Sequence, residues 1–242
     1  MGIRFDLALT ERGLCDTRSK AKMEILQGHA AINGVICTKP AADVSENDVL
    51  ALTEVLPYVG RGGLKLAYAI EQFGLSLQGM HCLDIGASTG GFTDCMLQNG
   101  AAHVLAVDVG HDQLAEVLRN DPRVTVMEGT DIRTLPPNEN GLPADFVSCD
   151  VSFISLTHIL PLLPERMQPN AKAVLLVKPQ FEAGKQALNK HGVVRDPKIH
   201  ARVLKEIRTA AEAVGLHPLG DCPSPIPGGS GNTEFLLLLE KI

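Results

Sequence analysis

A carboxylate, a run of glycines and a second carboxylate about 20 residues on carry the first chemical signal in this sequence. Residues 81–92 read His-Cys-Leu-Asp-Ile-Gly-Ala-Ser-Thr-Gly-Gly-Phe. That is a short apolar strand ending in Asp84, a glycine-rich turn, and a helix start at Phe92. Such a turn after a strand usually suggests dinucleotide binding. Here Asp84 stands just before the first glycine, and its charge would repel a diphosphate. It would attract S-adenosylmethionine, which carries an ammonium and a sulfonium and no phosphate. Gly86, Gly90 and Gly91 would let backbone approach that ligand closely, with Ala87, Ser88 and Thr89 completing the cradle. The second acid, Asp108, ends the apolar run Val104 to Val109. It stands where a ribose diol is normally held, the alternative being an ordinary strand-end cap. Asp131, in Gly129-Thr130-Asp131-Ile132-Arg133, follows a third apolar run (Val124 to Met127). It is placed either to reach an adenine amino group or simply to shape its turn.

Four further charged residues form a second set. Lys65 lies in Arg61-Gly62-Gly63-Leu64-Lys65-Leu66, Asp150 ends Phe146-Val147-Ser148-Cys149-Asp150, Lys178 ends Ala173-Val174-Leu175-Leu176-Val177-Lys178, and Glu234 lies in Asn232-Thr233-Glu234-Phe235. A charge at the end of an apolar strand is costly to hold without a partner. Each alone reads as a surface cap or a salt bridge. As an ordered set in one fold they read as a site.

The elements that must position these residues alternate. Strands read at 80–85, 103–109, 124–127, 145–150, 172–178 and 234–240, with helices between them. One helix runs from Phe92 to Asn99. Another runs from Ile199 to Val214, with Val203, Leu204, Ile207 and Ala211 on one face and Gly215 as its stop. This alternation means a mostly parallel sheet covered on both faces. Ligands in such sheets bind at the carboxyl ends of strands, where Asp84, Asp108, Asp150 and Lys178 all fall. Upstream, residues 3–55 read as a small α+β unit. A helix begins at Phe5 and is stopped by Gly13. A second, capped by Thr17 or Ser19, ends at Gly28. Ala30 to Cys37 is a strand pair around Asn33-Gly34. Arg18, Lys20 and Lys22 gather at the start of the second helix, as a solvated face or as a phosphate site. The organisation expected is therefore a module over 1–56, a glycine-rich linker over 57–63 and a larger domain over 64–242.

Bulk properties narrow the function classes. The 242 residues are 45% hydrophobic, which gives a globular chain with a real core. Net charge is −6, yet residues 1–42 hold six Lys and Arg against four Asp and Glu, so that end is +2 and the remainder −8. A locally basic module on an acidic domain fits RNA binding at one end. The longest apolar runs, such as Phe235 to Leu239, are too short to cross a bilayer, and no secretory apolar region opens the chain. Six cysteines without paired spacing and eight histidines without ligand spacing predict a cytoplasmic protein with no disulfide and no metal.

The small unit resembles S-four-type RNA-binding modules, through Arg4-Phe5-Asp6-Leu7-Ala8-Leu9, Thr17-Arg18-Ser19-Lys20-Ala21 and Ala31-Ile32-Asn33-Gly34-Val35. The likeness implies RNA contacts at Arg4, Arg18, Lys20 and Lys22, and Arg61 in the linker joins that set. The whole chain resembles the TlyA or hemolysin-A family, whose second domain looks like the FtsJ-type ribose 2′-O-methyltransferases. The carrying motifs run Val59 to Leu66, Leu83 to Asp94, Asp150 to Leu156, Val177 to Glu182 and Gly192 to Asp196. The resemblance implies an α/β Rossmann-like methyltransferase sheet, mostly parallel with its last strand antiparallel. It implies S-adenosylmethionine as cofactor, ribosomal RNA within ribosomal subunits as partner, and methylation of a cytidine 2′-hydroxyl. It also matches Lys65, Asp150, Lys178 and Glu234 to the family's catalytic tetrad. In that role Lys178 would contact the hydroxyl, as base or as stabiliser of the developing alkoxide, and Asp150 would orient it. Lys65 and Glu234 would position the ribose. The chain departs from the family pattern at Pro57-Tyr58, where alanine and tryptophan are expected. A membrane-active hemolysin is disfavoured by the missing spanning segment. A non-catalytic assembly factor is disfavoured by the complete tetrad, and a nicotinamide-dependent dehydrogenase by Asp84.

Overall fold

A computed structural model describes residues 2–52, 57–138, 140–228 and 231–242; residues 53–56, at the end of the first expected module, lie outside them. The chain divides into two compact units, Met1–Leu56 and Pro57–Ile242.

In the first unit β1 (Ile3–Arg4) runs into α1 (Phe5–Glu11), followed by α2 (Arg18–Leu26), β2 (Ala30–Ile32), β3 (Val35–Ile36), β4 (Asp43–Val44) and β5 (Leu50–Leu52). Thr17, not Ser19, caps α2, its hydroxyl accepting from the Lys20 amide at 3.2 Å. Asn33 and Gly34 both take positive φ, 51° and 78°, as the tight turn of a two-residue hairpin requires. The hairpin's β2 also pairs with β5, and β1 pairs with β4, both antiparallel. Phe5, Leu9 and Ile25 are fully buried at the centre of this unit. The strands β1, β4 and β5 are two or three residues long, too short for alternation to announce them.

The second unit contains α3 (Gly62–Phe73), β6 (His81–Ile85), α4 (Gly91–Gln98), β7 (His103–Val107), α5 (Glu116–Arg119), β8 (Val124–Met127), β9 (Ala144–Cys149), α6 (Leu163–Arg166), β10 (Met167–Val177), α7 (Pro179–Glu182), α8 (Pro197–Glu212), β11 (Leu216–Pro223) and β12 (Phe235–Lys241). Seven strands form one sheet in the order β11-β12-β10-β9-β6-β7-β8. Among the described strands of this sheet β12 alone runs against the other six, so the expected fold class and all six expected strands are present. The seventh strand, β11, corrects the sequence reading. Pro218 and Gly220 interrupt it and a register shift falls between them. Such residues mark an edge strand and hide it from pattern reading.

Each strand feeds two cores. Along β7, Val104 and Ala106 pack with Leu66 of α3 and Met96 of α4, while Leu105 and Val107 pack on the face covered by Val203 and Ile207 of α8. Asp196 caps α8 by accepting from the Lys198 amide at 2.9 Å, with Pro197 at the first position. Cys82, Cys95 and Cys149 are buried among apolar side chains, where burial pushes each thiol up to about 12.

The stretch read as a linker is built into this unit. The amide of Val59 donates to Asp94 Oδ2 at 2.8 Å and the Gln98 side chain donates to the Pro57 carbonyl at 2.9 Å. Helix α3 already begins at Gly62, and a Cβ on Gly63 would stand 2.3 Å from Tyr58. The Tyr58 ring is half-buried here, and burial pushes its hydroxyl up to about 12. Among the described residues, no helix is long and apolar enough to cross a membrane.

Candidate active site

Register gathers the charged residues at one edge. Ile85 pairs with both Val107 and Cys149, so Gly86, Asp108 and Asp150 leave three neighbouring strands at the same level. Because β12 runs the other way, its beginning meets this edge. Val177 pairs with Phe235, which sets Lys178 beside Glu234. The edge therefore reads Glu234, Lys178, Asp150, the Gly86 loop, Asp108. Lys65 arrives from the first turn of α3.

The four residues of the second set form two ion pairs. Lys178 Nζ lies 2.6 Å from Asp150 Oδ1 and donates to Ser152 Oγ at 2.8 Å. Lys65 Nζ donates to Glu234 Oε2 at 2.6 Å, and Gln180 Nε2 donates to the other Glu234 oxygen at 3.3 Å. The pairs differ in outlook. A cleft of about 770 Å³ is bounded by Asp108, Asp131, Asp150 and Ser152, and a smaller hollow of about 190 Å³ beside it is bounded by Asp150, Ser152 and Lys178. Gly86, Ser88, Asp150 and Ser152 belong to both. Lys65 and Glu234 bound neither, and both are buried, at 8% and 3% exposure.

The cofactor candidates are placed around the cleft, with two corrections. Asp84 does not open onto it. The residue is fully buried, Thr93 Oγ1 donates to one oxygen at 2.6 Å and Ser148 Oγ to the other at 2.9 Å. Burial pushes its carboxyl up to about 6. A cationic ligand on the loop would meet its charge from beneath, through low dielectric, rather than by contact. The glycines also serve the protein first. A Cβ on Gly86 would meet the Asp150 carbonyl at 2.7 Å, one on Gly90 would meet Leu118 at 2.3 Å, and one on Gly91 would meet the Gly63 amide at 2.9 Å. Their small size lets the loop sit against its own neighbours. Ala87, Ser88, Thr89 and Phe92 line the smaller hollow with Gly91.

Asp108 faces the cleft. Its oxygens accept from the amides of Ser88 and Gly110 at 2.8 and 2.7 Å, which ties the glycine loop to the next strand end. Asp131 also faces the cleft and is gripped by Arg133, Nε to Oδ1 at 3.0 Å, which holds its carboxyl below the usual range. Three carboxylates at Asp108, Asp131 and Asp150 stand among the apolar side chains of Val107, Ile132 and Ile154. Arg133 also lines the cleft, paired with Asp131, so carboxylates still outnumber cations there, which favours a cationic nucleoside over a diphosphate. Among the described residues, no group of three or more His, Cys, Asp or Glu side chains converges to hold a metal.

Several residues of the site carried no sequence signal. Ser152 holds Lys178. Phe153 has φ 64°, is 91% exposed, and its ring lies 5.0 Å from that of Phe181. A left-handed backbone at a non-glycine residue cannot be read from residue type. Glu182 accepts from Ser155 Oγ at 2.5 Å and from the Leu156 amide at 2.9 Å. Glu128 accepts from the amides of Leu114, Gln113 and Asp112 and from the Arg119 guanidinium, which together hold its carboxyl down to about 2, Leu114 most strongly, and shape the loop after Asp108. The motifs Asp150 to Leu156 and Val177 to Glu182 contain Ser152, Phe153 and Glu182, but only the fold reveals what they touch.

In the first unit the basic candidates are organised by acids. The Arg4 guanidinium pairs with Asp6 Oδ1 at 3.0 Å and Arg18 Nε with Asp6 Oδ2 at 3.1 Å. Asp6 is 2% exposed, and these partners hold its carboxyl down to about 2, Arg4 most strongly. Lys20 pairs with Asp16 at 3.2 Å, while Lys22 is exposed and makes no ion pair among the described residues. Arg61, in the second unit, is exposed just before α3.

Comparison with known proteins matches this architecture. The pattern of the FtsJ-like methyltransferases fits residues 58–241, and that of the S4 domain fits residues 3–50. The chain is 47% identical over 240 residues to the 16S/23S rRNA (cytidine-2′-O)-methyltransferase TlyA of Mycobacterium tuberculosis, covering 98% of this chain and 89% of that one. It is 39% identical over 236 residues to Hemolysin A of Brachyspira hyodysenteriae, covering 97% and 98%. A solved structure from Streptococcus thermophilus superposes with a TM-score of 0.79 at 46% identity, covering 99% of this chain and 88% of that one.

Proposed function

This chain belongs to the FtsJ-like methyltransferase family, and from that premise we propose that it transfers a methyl group from S-adenosylmethionine to the ribose 2′-hydroxyl of a cytidine in ribosomal RNA. The S4 domain and the curated activity of the M. tuberculosis relative support RNA as the acceptor. One observation carries the assignment of the reacting centre. Lys178, Asp150 and Ser152 meet within 2.8 Å where the larger cleft joins the smaller hollow.

Bound S-adenosylmethionine supplies a methyl group already activated by its sulfonium. The chain must align the acceptor oxygen and manage its proton. The cleft would hold the cofactor, with Asp108 at the ribose, Asp131 toward the adenine and the buried Asp84 beneath the glycine loop. Lys178 faces the hollow beside it and is fixed from two sides, by Asp150 and by Ser152. Its place in this reading is at the 2′-hydroxyl, as base or as the cation facing the developing alkoxide. The pH dependence of transfer separates the two, because a base must first lose a proton that free lysine keeps at neutral pH. The buried Lys65–Glu234 pair sets the wall of the site. The exposed ring of Phe153 offers a stacking face to an unpaired base beside the target ribose. Arg4, Arg18, Lys20, Lys22 and Arg61 are the phosphate contacts of this reading.

Labelled-methyl transfer onto purified ribosomal subunits, followed by nucleotide-resolution mapping, tests it. The expected result is label on the 2′-oxygen of a cytidine. Label on a base, or none on ribosomal RNA, overturns it.

A further inference from the structure

Two loops leave the sheet side by side, one after β9 and one after β10. They are tied together twice, with opposite sign. At the near end the cation Lys178, from the β10 loop, holds Asp150 and Ser152 of the β9 loop at 2.6 and 2.8 Å. One helical turn later the anion Glu182 holds Ser155 Oγ at 2.5 Å and the Leu156 amide at 2.9 Å. Between the ties stands Phe153, with its backbone at φ 64° and the residue 91% exposed. A bulky side chain in the left-handed region persists only where the surroundings over-determine it. Its ring contact is with Phe181, itself next to Glu182. Solvent-side burial does not hold Phe153, so the ties on either side must.

We propose that Glu182 is a positioning residue that locks the 150–156 loop and so fixes Ser152 and Phe153 at the mouth of the site. The residue touches no reacting atom. It acts through Ser155 and Leu156, closing the loop that Lys178 closes from the other end. The carboxylate is half-buried, and its two oxygens are spent on one hydroxyl and one amide of the neighbouring loop. That division suits a clamp between loops better than a surface cap. The consequence for transfer rests on the functional reading above, whereas the clamp itself does not.

The chain contains no tryptophan, so Phe153→Trp places a single indole on the loop. Its fluorescence anisotropy reports whether the loop is held. In that background Glu182→Ala should lower the anisotropy toward that of a mobile indole. Glu182→Gln keeps an acceptor for the Leu156 amide and a partner for the Ser155 hydroxyl, and should leave it unchanged. With Phe153 restored, Glu182→Ala should lower kcat about a hundredfold, the scale of a misplaced reacting group, and Glu182→Gln should recover most of that loss. Ser155→Ala removes one of the two bonds and should fall between, which keeps the test available if Glu182→Ala does not fold. Unchanged anisotropy in Glu182→Ala, or in Ser155→Ala where the former fails to fold, overturns the proposal. So does equal damage from Gln and Ala. If anisotropy falls as expected while the parent chain transfers no methyl to ribosomal RNA, the clamp stands and the functional reading fails.

Discussion

The two lysine–carboxylate pairs at the sheet edge have the same chemistry and the same 2.6 Å separation, and face different surroundings. Lys178 and Asp150 border open space, and Lys178 also donates to the Ser152 hydroxyl. Lys65 and Glu234 border neither cavity, and the second carboxylate oxygen of Glu234 goes to Gln180. A pair that faces a cavity can act on what enters it. For the buried pair we propose a positioning role in the wall, and removing one partner would strand a buried charge. Position, not residue type, separates the two roles, and the two pairs should therefore break differently.

The largest effect is expected at the open pair. Lys178→Ala or Asp150→Ala should cut methyl transfer by about 10²–10⁴-fold, the range for a lost proton-handling group, while calorimetric affinity for S-adenosylmethionine stays close to that of the parent in Lys178→Ala and weakens in Asp150→Ala, which removes a carboxylate from the cleft wall. Replacing both should cost little more than replacing one, since groups that act as a unit are not additive. Additive losses would mean that the two residues work separately.

At the sealed pair stability should suffer first. Lys65→Ala leaves Glu234 buried without its cation and should cost about 3–5 kcal/mol in denaturant unfolding. Combining Lys65→Met with Glu234→Gln removes both charges and should restore much of that stability without restoring full activity. A Lys65→Ala chain of parental stability and no activity would move Lys65 into the open pair's role.

Asp84 sharpens the contrast through pH. Burial raises its carboxyl to about 6, above an unfolded value near about 4. The folded chain therefore favours the protonated form. That contribution is complete below about pH 4 and is lost as pH rises through about 6. Asp84→Asn should raise Tm at neutral pH, and the gain should vanish below about pH 4. Affinity has the opposite sign, because a cationic ligand uses the ionised form. The parent's affinity for S-adenosylmethionine should fall as pH drops through about 6, while the asparagine variant binds weakly and without that dependence. A parent affinity flat across this window would remove Asp84 from cofactor recognition.

The smallest effect is expected in the first unit, where Arg18 and Lys20 already share their charge with Asp6 and Asp16. Joint replacement of Arg18, Lys20 and Lys22 by alanine should weaken RNA binding and flatten its salt dependence by about one or two released counterions. Cofactor affinity should not move. An unchanged salt slope would mean that this face meets protein rather than phosphate.

What the sequence disclosed follows the range of the forces involved. Strand periodicity and strand-end charges are local, so the sheet and the edge holding Asp108, Asp150 and Lys178 were legible, while its reversed last strand came only with the family resemblance. So was the Asn33-Gly34 hairpin, because both residues advertise positive φ. Pairings were not legible. That Lys65 meets Glu234 across 169 positions depends on β12 running backward past β10. That Asp84 is spent on Thr93 and Ser148 depends on packing beneath the loop. The edge strand β11 hid behind Pro218 and Gly220, and the glycine stretch before α3 looked like a linker because its contacts with Asp94 and Gln98 are tertiary. Phe153 gave no sign at all, since nothing in a phenylalanine announces a left-handed backbone.

The central claim is that the acceptor at the open pair is a ribose hydroxyl. The most direct measurement compares transfer to a mapped target cytidine with transfer to the same RNA carrying 2′-deoxycytidine there. The account predicts that both RNAs bind with similar affinity and that only the ribose form accepts the methyl group. Methylation of the deoxy form would place the acceptor on the base and contradict the account.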